Sequence, residues 1–278
     1  MFRKAASFQE VDYGDIGQVD NFLFINSGDP SNVIVFFNGA ISPLKVGLSP
    51  LFQRWTWQEY FRHPAVVIHD PLIRRDDDLR IAWYIGTASG WCLADLFADL
   101  ERMVRAVHPD ARFVCLGSSA GGFAALMAAV LGLCDLAIVN NPQTNLVGHH
   151  ADLRDRFLTA YGKPLEGLTK EDVLRLSASD AIFQSNTEAE ILYLQNLADT
   201  FHTNEHFLPF MEAVYRSERL RPSQLIARAY FDSFRGHSPL EAAPFLSMID
   251  THYPALLSPK GKALAKEAVM AFRERERG

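Results

Sequence analysis

Short, wholly apolar runs recur along this chain, and longer segments with helical spacing separate them. Val33-Ile34-Val35-Phe36-Phe37 and Ala65-Val66-Val67-Ile68-His69 are continuous and rich in β-branched residues, as parallel strands buried on both faces must be. The pattern returns at Phe113 to Leu116, Asp135 to Asn140, Glu190 to Asn196 and Leu225 to Phe231. Between these runs, Leu93 to Val107 carries apolar residues at 93, 96, 97, 100, 103, 104 and 107, the stripe of a helix lying on a sheet. From Phe123 onward, Ala, Leu and Met predict another helix. Further helices are expected at Pro50 to Arg62, Glu205 to Arg216, Pro239 to His252 and Pro259 to Arg275. Phe8 to Tyr13 and Val19 to Asn26, parted by Gly14-Asp15-Ile16-Gly17, read as an antiparallel hairpin at a sheet edge. Strand and helix in alternation call for an α/β domain with a mostly parallel, doubly wound sheet spanning residues 1–278.

The alternation stops between Thr144 and Glu188. Ala151 to Tyr161 and Thr169 to Leu176 are the helices expected there, the second opening on Thr169-x-x-Asp172, a helix-start pattern. Segment 144–188 is thus a helical insertion between strands. It reads equally as a lid over a site or as a packing pair without a gating role. Phe157, Leu158, Tyr161, Leu165, Leu168, Leu174 and Leu176 are candidates for its inner face.

Composition narrows the classes. At 278 residues and 48% hydrophobic, the chain can bury a large core. A net charge of −6 supplies no basic field for nucleic acid or an anionic membrane. The alternating charges of Glu274 to Arg277 read as a solvated helical tail. Three cysteines, Cys92, Cys115 and Cys134, make no disulfide framework. The start, Met1-Phe2-Arg3-Lys4, meets polar residues too soon to form a signal-peptide core, and no apolar run reaches bilayer length. A soluble cytoplasmic protein is expected; the oligomeric state is open.

The chemistry centres on Gly117-Ser118-Ser119-Ala120-Gly121-Gly122, placed between a buried strand and an alanine-rich helix. Gly-x-Ser-x-Gly in that setting fits a nucleophile elbow, a strained turn that presents a serine at the positive end of a helix. Neither a dinucleotide fingerprint nor a Gly-Lys-Ser/Thr phosphate loop is present. This stretch resembles the α/β-hydrolase superfamily. In that superfamily the order is serine, acid, histidine, each on a loop at one sheet edge. On that order His237, in Arg235-Gly236-His237-Ser238-Pro239 beyond the last strand, is the candidate base. Asp199, 80 residues after Ser119 and 38 before His237, is the candidate acid. Asp199 could alternatively be only a helix cap, and Asp232 is the second acid candidate. The oxyanion would be held by the N–H of Ala120 together with that of Ala40 or Gly39, in Asn38-Gly39-Ala40, where relatives more often carry histidine than Asn38.

A narrower resemblance rests on Phe37-Asn38-Gly39-Ala40, Trp83-Tyr84-Ile85-Gly86, the elbow, Asn141-Pro142-Gln143-Thr144, and Tyr193-Leu194-Gln195-Asn196 continuing through Asp199, His202, His206 and Pro209-Phe210. These are similar to the acetyltransferase-like accessory secretion proteins and the hydrolase-like proteins of bacterial glycan gene clusters. The resemblance implies an acyl group moved to or from a sugar, with Asn38, Trp83, Gln143 and His202 as substrate-binding candidates. His202 and His206 have metal-ligand spacing but lack the zinc-protease order, so hydrogen bonding near the acid is the favoured role and no metal is assigned. Trp55, Trp57, Trp83 and Trp91 either line a pocket or pack the core.

The function expected is a serine hydrolase or acyltransferase acting on a small-molecule or glycan acyl ester or thioester. No organic cofactor is needed. The alternative is a non-catalytic hydrolase-fold module that binds a glycan or a partner protein.

Overall fold

The computed structural model describes residues 3–42, 45, 50–75 and 79–275. The charged tail read at Glu274 to Arg277 lies outside the described residues from Glu276 onward.

Nine strands form one sheet: β1 (Arg3–Lys4), β2 (Ile16–Val19), β3 (Phe22–Ile25), β4 (Asn32–Phe37), β5 (Ala65–Ile68) and, after a small ribbon of β6 (Gly86–Thr87) with β7 (Gly90–Trp91), β8 (Arg112–Ser118), β9 (Leu136–Asn140), β10 (Glu190–Asn196) and β11 (Leu225–Tyr230). Their spatial order is β1-β2-β3-β5-β4-β8-β9-β10-β11. Among the described residues, only β3 runs antiparallel to its neighbours in this sheet, β2 and β5.

The helices are α1 (Pro71–Arg75), α2 (Cys92–Arg105), α3 (Ala120–Val130), α4 (Ala151–Tyr161), α5 (Lys170–Leu176), α6 (Ala178–Ala181), α7 (Thr200–His202), α8 (Leu208–Ser217), α9 (Ala242–His252) and α10 (Pro259–Arg275). Successive strand residues alternate between two cores. Val33, Val35, Phe37, Phe113 and Cys115 meet α2, α3 and α4 on one face. Ile34, Phe36, Val114 and Leu116 meet α9 and α10 on the other. That two-sided burial is why these strands are apolar throughout. In α2 the buried stripe is Leu93, Leu96, Phe97, Leu100 and Val104, and the helix ends before the exposed Val107.

Two local expectations change. Phe8–Glu10 is a turn of 3-10 helix, not the start of a strand. Phe8 and Val11 both bury, and residues three apart in a strand would face opposite ways. The edge hairpin is instead β2 with β3, turned at Asp20, whose φ is 47°. The helix expected over Pro50 to Arg62 is reduced to a 3-10 helix at Trp55–Tyr60. Side chains from elsewhere claim the preceding backbone: Asn38 Nδ2 donates to the Leu51 carbonyl, and the Gln53 N–H donates to Asn38 Oδ1. Arg54 then takes a left-handed conformation with φ 57°.

From β4 the chain moves outward to β5 and then crosses back to β8 on the other side. The strand order reverses there, opening a crevice beyond the carboxyl ends of β4 and β8. Every parallel strand delivers its following loop to that edge.

Candidate active site

The elbow is the most constrained piece of backbone at this edge. Ser119 links β8 to α3 with φ 55° and ψ −120°, a conformation that costs a non-glycine residue energy. A Cβ on Gly117 would run into the Gly121 carbonyl, and one on Gly121 into the Phe37 carbonyl of β4. The two glycines therefore let strand, helix and neighbouring strand close around the turn. The Ala120 N–H lies in the first turn of α3, where the helix offers no acceptor and its dipole favours negative charge. Gly39 approaches the elbow from the end of β4, a Cβ there lying 3.4 Å from the Ser118 carbonyl. Its N–H already donates to Gln53 Oε1 at 3.1 Å, which leaves Ala40 as this loop's candidate oxyanion donor.

Three loops meet Ser119. Its Oγ lies 3.0 Å from His237 Nε2, and His237 Nδ1 lies 2.8 Å from Asp199 Oδ2. Asp199 also caps α7 by accepting the His202 N–H at 3.2 Å, so capping and contact with His237 coexist in one carboxylate. Asp232 does not reach His237; it accepts the N–H groups of Phe234 and Arg235 within its own turn. Burial works to raise the Asp199 carboxyl, but hydrogen bonds from His202 and His237 outweigh it and hold it below the usual carboxylate range.

A second arm closes the circuit. His202 Nδ1 lies 3.2 Å from Asp199 Oδ1, and its Nε2 lies 2.9 Å from Gln143 Nε2. Gln143 Nε2 also donates to Ser119 Oγ at 2.9 Å. Ser119, His237, Asp199, His202 and Gln143 thus form a ring of hydrogen bonds. An amide nitrogen only donates, so His202 accepts at Nε2 and donates from Nδ1 to the carboxylate. Burial keeps the His202 ring neutral by lowering its pKa. The ring stacks on that of His237 at 3.8 Å and 16°.

The four substrate-binding candidates are all buried. Trp83 reaches the site only by donating from Nε1 to Gln143 Oε1 at 3.3 Å, and Asn38 is occupied in tying Leu51 and Gln53 to its loop. Neither presents a free group to a substrate in this arrangement. Gln143 and His202 face Ser119 and His237 directly.

Sequence reading, which met Tyr84 and Asn196 only inside motifs, assigned no role to the residues that hold these loops. Asn196 donates from Nδ2 to the Asp232 and Gly236 carbonyls at 2.9 and 2.8 Å and accepts the Asp232 N–H, shaping the turn that carries His237. Tyr84 accepts the Asn38 N–H at 2.7 Å and donates to the Ile68 carbonyl at 2.8 Å. Asp70 accepts the N–H of Tyr84 at 2.6 Å, and burial lifts its carboxyl to about 6. Trp83 and Tyr84 both have positive φ, 55° and 61°, and Asp70 with Tyr84 pins that turn beneath the Asn38 loop.

His149, His202 and His206 cluster closely enough to hold a metal ion, as do Asp199, His202 and His237. Hydrogen-bond polarity argues against the first set. The Thr144 N–H donates to His206 Nδ1, so the His206 proton sits on Nε2 and points at His149 Nδ1, 3.1 Å away. The nitrogen that would ligate is therefore protonated, while metal ligation at Nε2 would put a proton against the Thr144 N–H. Burial, with the neighbouring imidazoles, brings His149 down to about 3 and lowers His206 as well.

No protein-family model and no curated protein matches the chain in sequence. Solved structures do. The capsule O-acetyltransferase of Neisseria meningitidis serogroup A is 14% identical with a TM-score of 0.57, over 78% of this chain and 86% of that one. The acylaminoacyl peptidase of Pyrococcus horikoshii is 16% identical with a TM-score of 0.56, over 84% of this chain and 39% of that one. A glycosylation-associate protein complex from Streptococcus agalactiae is 13% identical with a TM-score of 0.55, over 84% and 45%. With the sheet order above, these likenesses give the chain an α/β-hydrolase fold. Among the described residues no helix is long and apolar enough to cross a membrane.

Proposed function

We propose that the protein transfers acyl groups through a covalent ester on Ser119, acting as a serine esterase or acyltransferase. The observation that carries this reading is the unbroken contact from Ser119 Oγ to His237 at 3.0 Å and on to Asp199 at 2.8 Å, on three loops at one sheet edge.

His237 Nε2 takes the hydroxyl proton as Ser119 Oγ attacks the acyl carbonyl. Asp199 holds the Nδ1 proton in place and balances the imidazolium; it is ionised well below neutral pH. The tetrahedral oxyanion sits against the N–H of Ala120 and of Ala40. On collapse the C–O or C–S bond to the leaving group breaks, and His237 returns the proton to that group. A water or sugar hydroxyl then repeats the sequence on the Ser119 ester. Gln143 keeps Ser119 Oγ within reach of His237, while His202 fixes both the Asp199 carboxylate and the plane of the His237 ring.

A sugar hydroxyl is the acceptor that the likeness to a capsule O-acetyltransferase supports, and a histidine-to-alanine variant of that enzyme was solved in complex with CoA. Segment 144–188 packs as a wall for this site. Phe157, Leu158, Tyr161 and Leu176 are sunk in the core, and Phe157 packs edge-on against Trp83, behind Gln143. Tyr161 and Lys163 both bind Asp172, tying α4 to α5.

The test is partitioning. With an acetyl thioester donor, the wild type releases thiol with a burst equal to the enzyme present. Adding sugar acceptors diverts acetate into sugar ester. Thiol release without a burst and unaffected by Ser119→Ala would defeat the proposal; free acetate alone across a broad acceptor panel would limit it to hydrolysis.

A further inference from the structure

Arg54 lies beside the elbow and belongs to no step described so far. Its Nη2 donates to Ser118 Oγ at 3.0 Å, one residue before Ser119, and its guanidinium lies 4.9 Å from the centre of the Trp57 ring. The segment that carries it is stitched to the candidate oxyanion loop: the Gln53 backbone N–H binds Asn38, and its side chain binds Gly39 and Ala40. Arg54 therefore spans the gap between the ends of β4 and β8, at the crevice where ligands of open α/β sheets bind.

This cation is unlike the arginines of the outer surface. Arg62, Arg102, Arg105 and Arg112 each pair with a carboxylate. Among the described residues Arg54 pairs with none, and its bond to Ser118 uses one of five N–H donors. Arg80, on the other side of the same loop, binds the Ile41 carbonyl and likewise has no carboxylate among the described residues. Partly withdrawing a guanidinium from water without a counter-ion is costly, and burial lowers the pKa of the half-buried Arg54 to about 10, which still leaves it fully charged at neutral pH. A positive charge kept at such a cost, in a chain of net charge −6, has its natural partner in a ligand. The planar fork on an aromatic face suits a carboxylate or a phosphate, either of which it can grip with two parallel hydrogen bonds.

We propose that Arg54 is an anion subsite at the mouth of the active site, selecting acyl donors or acceptors that carry a phosphate or carboxylate. The inference deepens the reading of Ser119 as nucleophile by naming the substrate's charge. Phosphate would come with the donor, and carboxylate with an acidic sugar acceptor.

Binding to Ser119→Ala protein tests the subsite apart from turnover, so failure of the acyl chemistry and failure of the subsite are read separately. One calorimetric arm compares 4′-phosphopantetheine with pantetheine; the other compares a uronic-acid oligosaccharide with its carboxyl-reduced form. In one arm the anionic member should bind roughly ten- to a hundredfold tighter than its neutral twin, the range for a hydrogen-bonded charge pair. Adding Arg54→Gln should abolish that ratio. Arg54→Lys, which keeps the charge and loses the fork, should retain only part of it, and it decides the matter if Arg54→Gln does not fold. The arm that shows the preference identifies the source of the anion. No preference in either arm, or a preference unchanged in the Arg54 variants that fold, overturns the proposal.

Discussion

The buried imidazoles predict that this protein loses stability on mild acidification, well above the pH at which ordinary carboxylates titrate. His149 and His206 are 4% and 0% exposed and held neutral, with His149 brought down to about 3. Both bind a proton near pH 6.5 once unfolded. Below that pH the unfolded chain carries more protons than the folded one, so stability falls as pH falls. Between pH 7 and 5.5 an unfolded histidine goes from about one-quarter to about nine-tenths protonated, while the folded ones stay neutral. Integrating gives about 1.2 kcal/mol lost per imidazole, or about 2.5 kcal/mol for the pair. Asp70 works the other way. Its carboxyl is raised to about 6, so the folded state takes up a proton first and recovers about 0.8 kcal/mol over the same interval. Asp199, held below the usual range, contributes only at lower pH. The net loss from these groups is therefore on the order of 2 kcal/mol, enough to move a urea midpoint followed by tryptophan fluorescence. His202, also held neutral by burial, acts in the same direction. His149→Gln isolates the cause. Whatever it costs at pH 7, its loss between pH 7 and 5.5 should be smaller than the wild type's by about 1 kcal/mol. Equal pH dependence in the two proteins would refute the reasoning.

Asp199→Asn should leave a folded protein whose turnover of an activated ester drops by up to about ten-thousandfold, since His237 would lose its preferred tautomer. Asp232→Asn should cost little turnover; the reverse ranking, with circular dichroism showing both folded, would move the acid role to Asp232. Tyr84→Phe removes the acceptor for the Asn38 N–H and should destabilise the fold by about 1–3 kcal/mol in chemical denaturation. It should also lower kcat more than it raises KM, because the loop it misplaces bears the oxyanion donor; a proportionate KM effect would instead place its role in substrate binding.

How much of this was legible beforehand follows from the range over which each feature is encoded. The elbow is local: strand, glycine-flanked serine and alanine-rich helix occupy one stretch, Arg112 to Val130, so their meaning survives without the fold. Asp199 and His237 could be named as candidates because chain order restricts each to one loop; the structure places His237 against Ser119 and Asp199 against His237. The roles of Asn196 and Tyr84, though both stand in motifs that carry the narrower resemblance, were invisible for the opposite reason. Each acts through one polar atom in an apolar segment, on backbone as far away in sequence as Gly236 from Asn196 or Asn38 from Tyr84. Gln53 and Arg54 were hidden in a segment whose aromatic content imitates a helix, and side-chain bonds from Asn38 overrule that preference. His202 and His206 have metal-ligand spacing, yet the sequence favours hydrogen bonding near the acid for them. His202, at the end of α7, reaches Asp199, and a turn of π-helix at Thr203–Phe207 carries His206 to the Thr144 N–H.

The central claim is that Ser119 is made nucleophilic by His237. Intact-protein mass spectrometry after brief exposure to a fluorophosphonate tests it most directly, followed by peptide mapping of the adduct. The account predicts one adduct per chain, on Ser119, formed by the wild type and slowed by orders of magnitude in His237→Ala. Labelling of Ser119 that persists at the wild-type rate in His237→Ala, or a folded wild type that takes up no label at Ser119, would contradict it.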